Sequence, residues 1–378
     1  MSGFGALDRA FMGRALELAA HGMATAHPNP RVGCVLARDG RILAEGWHER
    51  AGGPHAEAVA LARLQAQTGS PDAAGVAAGA TAYVTLEPCN HHGRTPPCTE
   101  ALIRAAVARV VYAVGDPNPM VNGDGARRLR EAGVEVQSGL LEAEAAELNA
   151  GFIKRMQRGV PLVRLKLAMS LDGRTGLSDG RSQWITGEAA RADVQAWRAR
   201  SSAILTGVGT VLADDPRLSL RQPAPGVRQP LRVILDSDLS TPPGARVFEG
   251  AAERGVWIFT TSRDRTRADA LAARGARIEQ AGTGAQVDIA QVLSALAKAD
   301  VNEVLVEAGA TLAGALVREQ RVDELLLYVA PVVLGNSARP LLALPEPASL
   351  AQAQRFAVVE TVSLGADLRV RLRVPPGQ

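Results

Sequence analysis

The sequence predicts two α/β domains in tandem. Its 378 residues, 47% of them hydrophobic, suffice for two ordinary cores and exclude both a single small module and a disordered chain. Strand-like and helix-like patterns alternate along the whole length, as expected of sheets covered by helices. The two runs are separated at Arg158-Gly159-Val160-Pro161. We expect a first domain over 1–150, a linker over 151–160 and a second domain over 161–378.

The first domain opens with a helix over 7–21, in which Leu7, Phe11, Ala15 and Leu18 recur at helical spacing and Gly22 supplies the stop. Strands at 32–37 and 42–47 follow, joined by Arg38-Asp39-Gly40-Arg41, whose Asp-Gly pair is a strong hairpin signal. After Pro54 a helical pattern runs to about Gln67, and a Gly/Ala/Pro loop leads to a strand at 82–86. A helix over 99–108, a strand at 109–114, a helix near 124–132 and a short strand at 134–137 continue the alternation. Residues 142–158 read as one helix. In the second domain the expected strands are 162–168, 203–206, 232–235, 256–259, 304–306, 324–329, 357–362 and 368–372. Helices near 187–200, 264–274, 287–298 and 311–319 lie between them, and no internal repeat is visible.

Composition narrows the function classes. Apolar runs such as that around 160–169 are broken by Arg and Lys well before the ~18 residues of a membrane span. The first 22 residues have neither an uninterrupted apolar core nor a cleavage pattern, so the chain reads as cytoplasmic. All three cysteines (Cys34, Cys89, Cys98) and all six histidines (His21, His27, His48, His55, His91, His92) fall within the first 98 residues. Metal or thiol chemistry therefore belongs to the N-terminal third, and three cysteines argue against a disulfide framework. Residues 1–150 hold 13 Arg and 16 Asp/Glu, net −3, whereas 151–378 hold 29 Lys/Arg and 23 Asp/Glu, net +6. The second part leans towards an anionic partner. The Arg are scattered rather than striped and aromatic content is 3%, which counts against nucleic acid.

Chemistry concentrates at His55-Ala56-Glu57, after Pro54, and at Pro88-Cys89 with Cys98 nine positions on. One imidazole and two thiolates are three of the four ligands that zinc (Zn2+) takes, and a catalytic site keeps the fourth position for water. Coordination lowers the pKa of that water from about 15.7 to about 7, and a neighbouring carboxylate can carry its proton to a leaving amine. Glu57 stands where that carboxylate is needed. H-x-E followed by P-C-x-x-C is the signature of zinc nucleobase deaminases; here eight residues separate the cysteines. His91 and His92, inside that loop, are competing ligands, and a closed structural zinc site is the alternative. Cys34 lies in an apolar strand pattern and reads as core.

Four clusters stand out in the second domain. Residues 164–174 place Lys166, one of three lysines, inside an apolar strand before a turn. Ser182-Gln183-Trp184-Ile185-Thr186 sets polar groups beside a Trp, with Thr186 read as the N-cap of the next helix. Gly207 and Gly209 follow a strand, but Leu212 stands where the last Gly of G-x-G-x-x-G belongs, so a Rossmann domain is poorly supported. Residues 304–315 read as strand, small-residue turn and helix. The N-terminal amides of that helix suit a dinucleotide phosphate, and a close-packed crossover is the alternative.

The runs His27-Pro28-Asn29-Pro30-Arg31-Val32-Gly33-Cys34-Val35, Pro54-His55-Ala56-Glu57 and Thr85-Leu86-Glu87-Pro88-Cys89, with Cys98, resemble the bifunctional riboflavin-biosynthesis deaminase/reductase family. The last three clusters of the second domain extend the resemblance over nearly the whole chain, and in that family the long cysteine spacing is the expected form. The resemblance implies a cytidine-deaminase-like three-layer domain followed by a dihydrofolate-reductase-like α/β domain. It implies zinc on His55, Cys89 and Cys98, Glu57 as proton shuttle, and Asn29 facing the pyrimidine; Asp116-Pro117-Asn118-Pro119 also matches. It implies NADPH contacts at Ala168, Trp184, Thr210, Asp214, Ser237, Gly309, Ala310, Thr311, Leu312, Ala313, Gly314 and Ala315. Substrate contacts fall to Ser182, Arg198, Leu218, Arg221 and Glu307, with Lys166 as a catalytic residue. Arg198 and Arg221 suit a phosphate, because guanidinium groups grip its oxygens in bidentate fashion.

The implied reactions are hydrolytic deamination of 2,5-diamino-6-(5-phosphoribosylamino)pyrimidin-4-one, then NADPH reduction of the ribosyl to the ribityl chain. The implied partners are small-molecule pyrimidine ribose phosphates, within a homo-oligomer (dimer or tetramer). Two rivals remain: a deaminase of another base with a regulatory second domain, and a nucleic-acid-binding module with structural zinc.

Overall fold

The computed structural model describes residues 3–69, 74–91, 96–118 and 122–375. The chain forms two compact units, Met1–Gly159 and Val160–Gln378. Most of the segment read as a linker is helix, because Gly151 and Phe152 are buried in the first unit. The helix stops at Gly159, which takes the left-handed conformation (φ 65°).

The first unit runs α1 (Ala6–His21), β1 (Gly33–Arg38), β2 (Arg41–Trp47), α2 (Ala56–Thr68), β3 (Thr81–Leu86), α3 (Cys98–Arg104), β4 (Arg109–Val114), α4 (Asp124–Glu131), β5 (Glu135–Ser138), α5 (Glu142–Leu148) and α6 (Ala150–Arg158). Its sheet has the order β2-β1-β3-β4-β5, with β1 antiparallel to both neighbours and β3, β4 and β5 parallel. Asp39 and Gly40 take positive φ (52° and 73°), as a two-residue hairpin turn requires. Helices cover both faces. Phe11, Met12 and Leu18 of α1 and Ala145 of α5 pack on one, and Leu61, Leu102 and Leu129 of α2, α3 and α4 pack on the other. This is the expected three-layer arrangement. At Gly46 of β2 a Cβ would lie 2.3 Å from the Ala56 carbonyl oxygen, so the start of α2 rests directly on the strand.

Two helix expectations need correction. The helix expected over 142–158 breaks at Asn149, whose side chain is drawn into contacts with Arg31. The helix expected over 99–108 ends at Arg104, because Ala106 turns into the left-handed region (φ 57°).

The second unit runs β6 (Leu162–Ser170), β7 (Arg174–Gly176), α7 (Glu188–Arg200), β8 (Ala203–Gly207), α8 (Val208–Asp214), β9 (Leu231–Leu235), α9 (Ala251–Arg254), β10 (Val256–Thr260), α10 (Arg265–Ala272), β11 (Ala276–Gln280), α11 (Ile289–Lys298), β12 (Glu303–Glu307), α12 (Ala310–Arg318), β13 (Glu324–Ala330), β14 (Arg339–Pro340), β15 (Ala357–Leu364) and β16 (Asp367–Arg373). Its main sheet has the order β11-β10-β9-β8-β12-β6-β13-β16-β15, parallel from β11 to β13 and closed by the antiparallel β16 and β15. One face packs α11 and α12 through Val292, Leu296, Ala313 and Leu316. The opposite face packs α7 through Val194 and Trp197, and α8 and α10 through Val211 and Leu271.

Strands β7, β11 and β14 and helices α8 and α9 add to the expected set. β11, Ala-Arg-Ile-Glu-Gln, is an edge strand whose charged residues hide its pattern. The residues read as a glycine turn after β8 wind into α8. Thr186 is not the N-cap of α7; that position is Gly187, whose amide donates to Asp367 Oδ2 (2.7 Å). The Thr186 carbonyl instead accepts from Arg191 Nη1 at 2.6 Å.

Candidate active sites

In the first unit, His55 caps α2, Glu57 lies in its first turn, Cys89 follows β3 and Cys98 opens α3. Three separate segments thus converge. His55 Nδ1 is 3.3 Å from Cys98 Sγ and 3.5 Å from Cys89 Sγ, and one ligand atom from each of the three residues lies within 4.8 Å of the others. Among the described residues this is the one His/Cys/Asp/Glu group with such convergence. Two sulfurs and one imidazole nitrogen, with no fourth protein ligand in the group, fit a catalytic zinc. His91 stays outside it, and His92 lies outside the described residues.

Electrostatics support a proton-handling site. Glu57 is buried, and burial together with the nearby Cys89 pushes its carboxyl above the ordinary range. The hydrogen bond from Cys98, with that from His55, makes Cys89 the more acidic thiol, while Cys98 moves the other way. Asn29 Nδ2 lies 3.1 Å from His48 Nε2, and His48 Nδ1 lies 2.9 Å from the Pro54 carbonyl oxygen. A carbonyl can only accept, so Nδ1 carries the proton and Nε2 accepts from Asn29. The His48 and His55 rings stand edge to face with centroids 5.7 Å apart. Glu87 is buried between β3 and Pro88 and accepts from the backbone amides of Gly123 (3.1 Å) and Ala126 (3.0 Å). Asp116 is also buried and accepts from the Asn118 amide at 2.9 Å; Pro119 of that motif lies outside the described residues.

In the second unit Ala168, Ser237, Glu307 and Gly309 lie at or just beyond the C-terminal ends of the parallel strands β6, β9 and β12, where open α/β sheets bind ligands. Lys166 of β6 and Glu307 of β12 are register partners. Arg198 of α7 grips Glu307 with Nε to Oε1 at 2.6 Å and Nη2 to Oε2 at 2.9 Å, and its Nη1 donates to the Ser219 carbonyl at 2.9 Å. Burial draws the Lys166 ammonium below its ordinary range, against the pull of Glu307. Ala168 lies two residues beyond Lys166 on β6, and Trp184 is exposed with the Arg191 guanidinium 4.8 Å above its ring. Thr210 and Asp214 lie on α8, and Ser182 near β7, its Cβ 3.1 Å from where a Cβ on Gly176 would sit.

Ser237 follows β9, its carbonyl accepting from Thr260 Oγ1 at 2.9 Å. The loop behind it is tied by the buried Asp236, which accepts from the amides and hydroxyls of Ser240 and Thr241. Gly309 caps α12, so Ala310 to Ala315 form its first turns rather than a separate loop. Ala313 and Gly314 face inward, and a Cβ on Gly314 would lie 2.3 Å from the Ala343 carbonyl oxygen. Gly209 and Gly309 have open space at their Cβ positions, so packing does not require a glycine at either. The Leu218 side chain is buried in the core with Ile204 and Val211, so only its backbone can meet a ligand. Arg221 is exposed, its amide held by Gln195 Oε1 at 3.1 Å.

Residues 6–114 match the family model for the cytidine and deoxycytidylate deaminase zinc-binding region, and residues 161–369 match that for the RibD C-terminal domain. The riboflavin biosynthesis protein RibD of Escherichia coli (strain K12) is 46% identical over 376 residues, covering 97% of this chain and 99% of its own. The chain belongs to the RibD family. Among solved structures, Acinetobacter baumannii RibD superposes with a TM-score of 0.88 at 44% identity, covering 98% of this chain and 99% of that one. A diaminohydroxyphosphoribosylaminopyrimidine deaminase/5-amino-6-(5-phosphoribosylamino)uracil reductase from Thermotoga maritima gives 0.84 at 34% identity, with the same coverage. The RibD architecture of zinc-binding deaminase domain and reductase domain is thus present in full. No helix among the described residues is long and apolar enough to cross a membrane.

Sequence reasoning gave no role to His48, Glu87 or Asn149 in this RibD chain. Glu87 sits inside the Thr85-Leu86-Glu87-Pro88-Cys89 run, and that adjacency to a ligand was the available signal. Asn149 gave none, because its partner Arg31 is 118 positions away, and His48 carries no motif of its own.

Proposed function

We propose that the site residues divide between two successive steps of riboflavin biosynthesis, deamination of 2,5-diamino-6-(5-phosphoribosylamino)pyrimidin-4-one in the first unit and reduction of the deaminated product by NADPH in the second. The observation that carries the first step is the convergence of His55, Cys89 and Cys98 beside the buried Glu57. Held by these three residues, zinc supplies the Lewis acidity that makes water a nucleophile at neutral pH. Glu57 takes a proton from that water and delivers it to the departing amine; its raised affinity for protons suits both halves of the task. Asn29, directed by His48, holds the pyrimidine edge.

In the second unit NADPH supplies the hydride. The amides at Gly309 and Ala310 and the open space over Gly209 and Gly309 receive its phosphates, and Ala168, Trp184, Thr210, Asp214 and Ser237 line its course. Lys166 and Glu307 orient the ribosyl group, and Lys166 supplies the proton, since the Glu307 carboxyl is held below its ordinary range. Arg198 is committed to Glu307 and Ser219, so it positions Glu307, and the substrate phosphate falls to Arg221. The chain works as a cytoplasmic homo-oligomer, a dimer or tetramer.

The test follows ammonia release and NADPH oxidation separately on the purified chain. Glu57→Ala abolishes the first and leaves the second intact when the deaminated pyrimidine is supplied. Loss of both would overturn the assignment of the two reactions to two sites.

A further inference from the structure

We propose that Asn149 is a positioning residue for the deamination, acting through the backbone of Arg31 on Asn29. This rests on the reading of Asn29 as the residue that holds the pyrimidine.

Asn149 sits between α5 and α6 and is 1% exposed. Its side chain makes a two-point contact with one residue: Arg31 N donates to Oδ1 at 2.8 Å, and Nδ2 donates to the Arg31 carbonyl at 2.9 Å. That is the pattern by which a neighbouring strand would hold Arg31, supplied here by a side chain 118 positions away. The Arg31 guanidinium returns the contact, Nη1 donating to the Leu148 carbonyl at 2.7 Å and Nε to the Met23 carbonyl at 3.3 Å. Residue 31 is thereby fixed in backbone and side chain, just before β1 begins at Gly33.

Asn29 lies two residues before this anchor. Its own amide donates to the Ala26 carbonyl at 2.9 Å, so the short segment carrying it is pinned at both ends. Between those pins the Asn29 side chain meets His48, which in turn is tied to Pro54, the residue before the ligand His55. Arg31 thus sets where the Asn29 backbone stands, and His48 sets which way its amide faces. An amide that must present a particular edge tolerates little displacement, because a shift of about 1 Å in a positioning group costs as much as 10²-fold in rate. The break in the helix expected over 142–158 has the same origin. Asn favours helix ends because its side chain competes for backbone groups, and here the groups it takes are those of Arg31.

The experiment is a double-mutant cycle on the full-length, zinc-loaded chain, with deamination KM, kcat and bound zinc measured for Asn149→Ser, Asn29→Ala and the pair. Asn149→Ser raises KM about tenfold, the effect of losing one hydrogen bond to substrate, with zinc content unchanged. In the Asn29→Ala background the same substitution changes KM by less than about twofold, because the residue it serves is gone. If Asn149→Ser gives an insoluble chain, Asn149→Asp carries the cycle: it keeps the acceptor for Arg31 N and removes the donor to the Arg31 carbonyl. If Asn29→Ala raises KM but the Asn149 substitution leaves it unchanged, adds in full, or acts only by lowering zinc content, the positioning role is overturned. If Asn29→Ala itself leaves KM unchanged, the reading of Asn29 fails and the role of Asn149 fails with it.

Discussion

Arg198 and Glu307 meet in a two-point ion pair, Nε to Oε1 at 2.6 Å and Nη2 to Oε2 at 2.9 Å, that ties helix α7 to the C-terminal end of β12. Burial would raise the Glu307 carboxyl, but the Arg198 guanidinium and then the Lys166 ammonium hold it below the ordinary range. A group whose folded pKa is depressed contributes stability above its unfolded pKa and loses it as pH falls through the folded value. Thermal melts of the chain should therefore lose stability progressively as pH falls below the ordinary glutamate value of about 4.3. In Arg198→Gln the neutral-pH melting temperature drops and this acid limb becomes shallower. An unchanged acid limb in the variant would show that the pair does not govern it.

Glu57→Gln should retain zinc and lower deamination by about 10²- to 10⁴-fold, the range for removing one general acid–base group. Metal analysis of the variant, alongside ammonia release, distinguishes this from ligand loss. Cys98→Ala should lose metal and deamination together, and a chelator should do the same to the unaltered chain. NADPH oxidation on the deaminated pyrimidine should persist in all three cases.

Gly46→Ala is a one-carbon change expected to act on the first unit alone. The new Cβ would stand 2.3 Å from the Ala56 carbonyl oxygen and 2.5 Å from the Ala60 amide nitrogen, so α2 must move outward with His55 at its cap and Glu57 in its first turn. Deamination and zinc affinity should fall while reduction holds. Normal zinc affinity in the variant would show that α2 is less firmly seated than the contact implies.

Arg164 should be indispensable to the second unit's stability. It is buried among the first residues of β6, β12 and β13, paired with Glu303 through Nη1 and with Glu324 Oε2 through Nε at 2.6 Å. Arg164→Ala leaves two buried carboxylates short of a partner, which costs about 3–5 kcal/mol in comparable pairs. Urea unfolding followed by Trp fluorescence measures it; a loss under about 1 kcal/mol would mean that Arg371 and Arg373, which also reach Glu324, suffice.

Much of this was legible in the sequence, for local reasons. The Asp39-Gly40 turn, the helix from residue 6 to 21 and the apolar strands each depend on neighbours within a few positions, and the pattern shows them. His55, Glu57, Cys89 and Cys98 stood out because few residue types do that chemistry. What stayed hidden depends on distant partners. Asn149 answers to Arg31 across 118 positions, and Arg164 to Glu324 across 160. Arg198 was read for a phosphate, and nothing on its helix announces that Glu307, 109 positions on, pairs with it. Helix α8 was missed because Gly207 and Gly209 read as a turn.

The three thiols are all buried, and all lie in the first unit. A thiol-selective alkylating reagent therefore finds no cysteine in the second unit. Burial pushes the Cys34 thiol far above its ordinary range and keeps it unreactive, which leaves Cys89, the more acidic of the remaining pair, as the thiol that metal loss would unmask first. A colorimetric thiol count then serves as a gauge of metal occupancy. Oxidative ageing of a stored preparation should likewise erode ammonia release first, while NADPH consumption keeps its original rate.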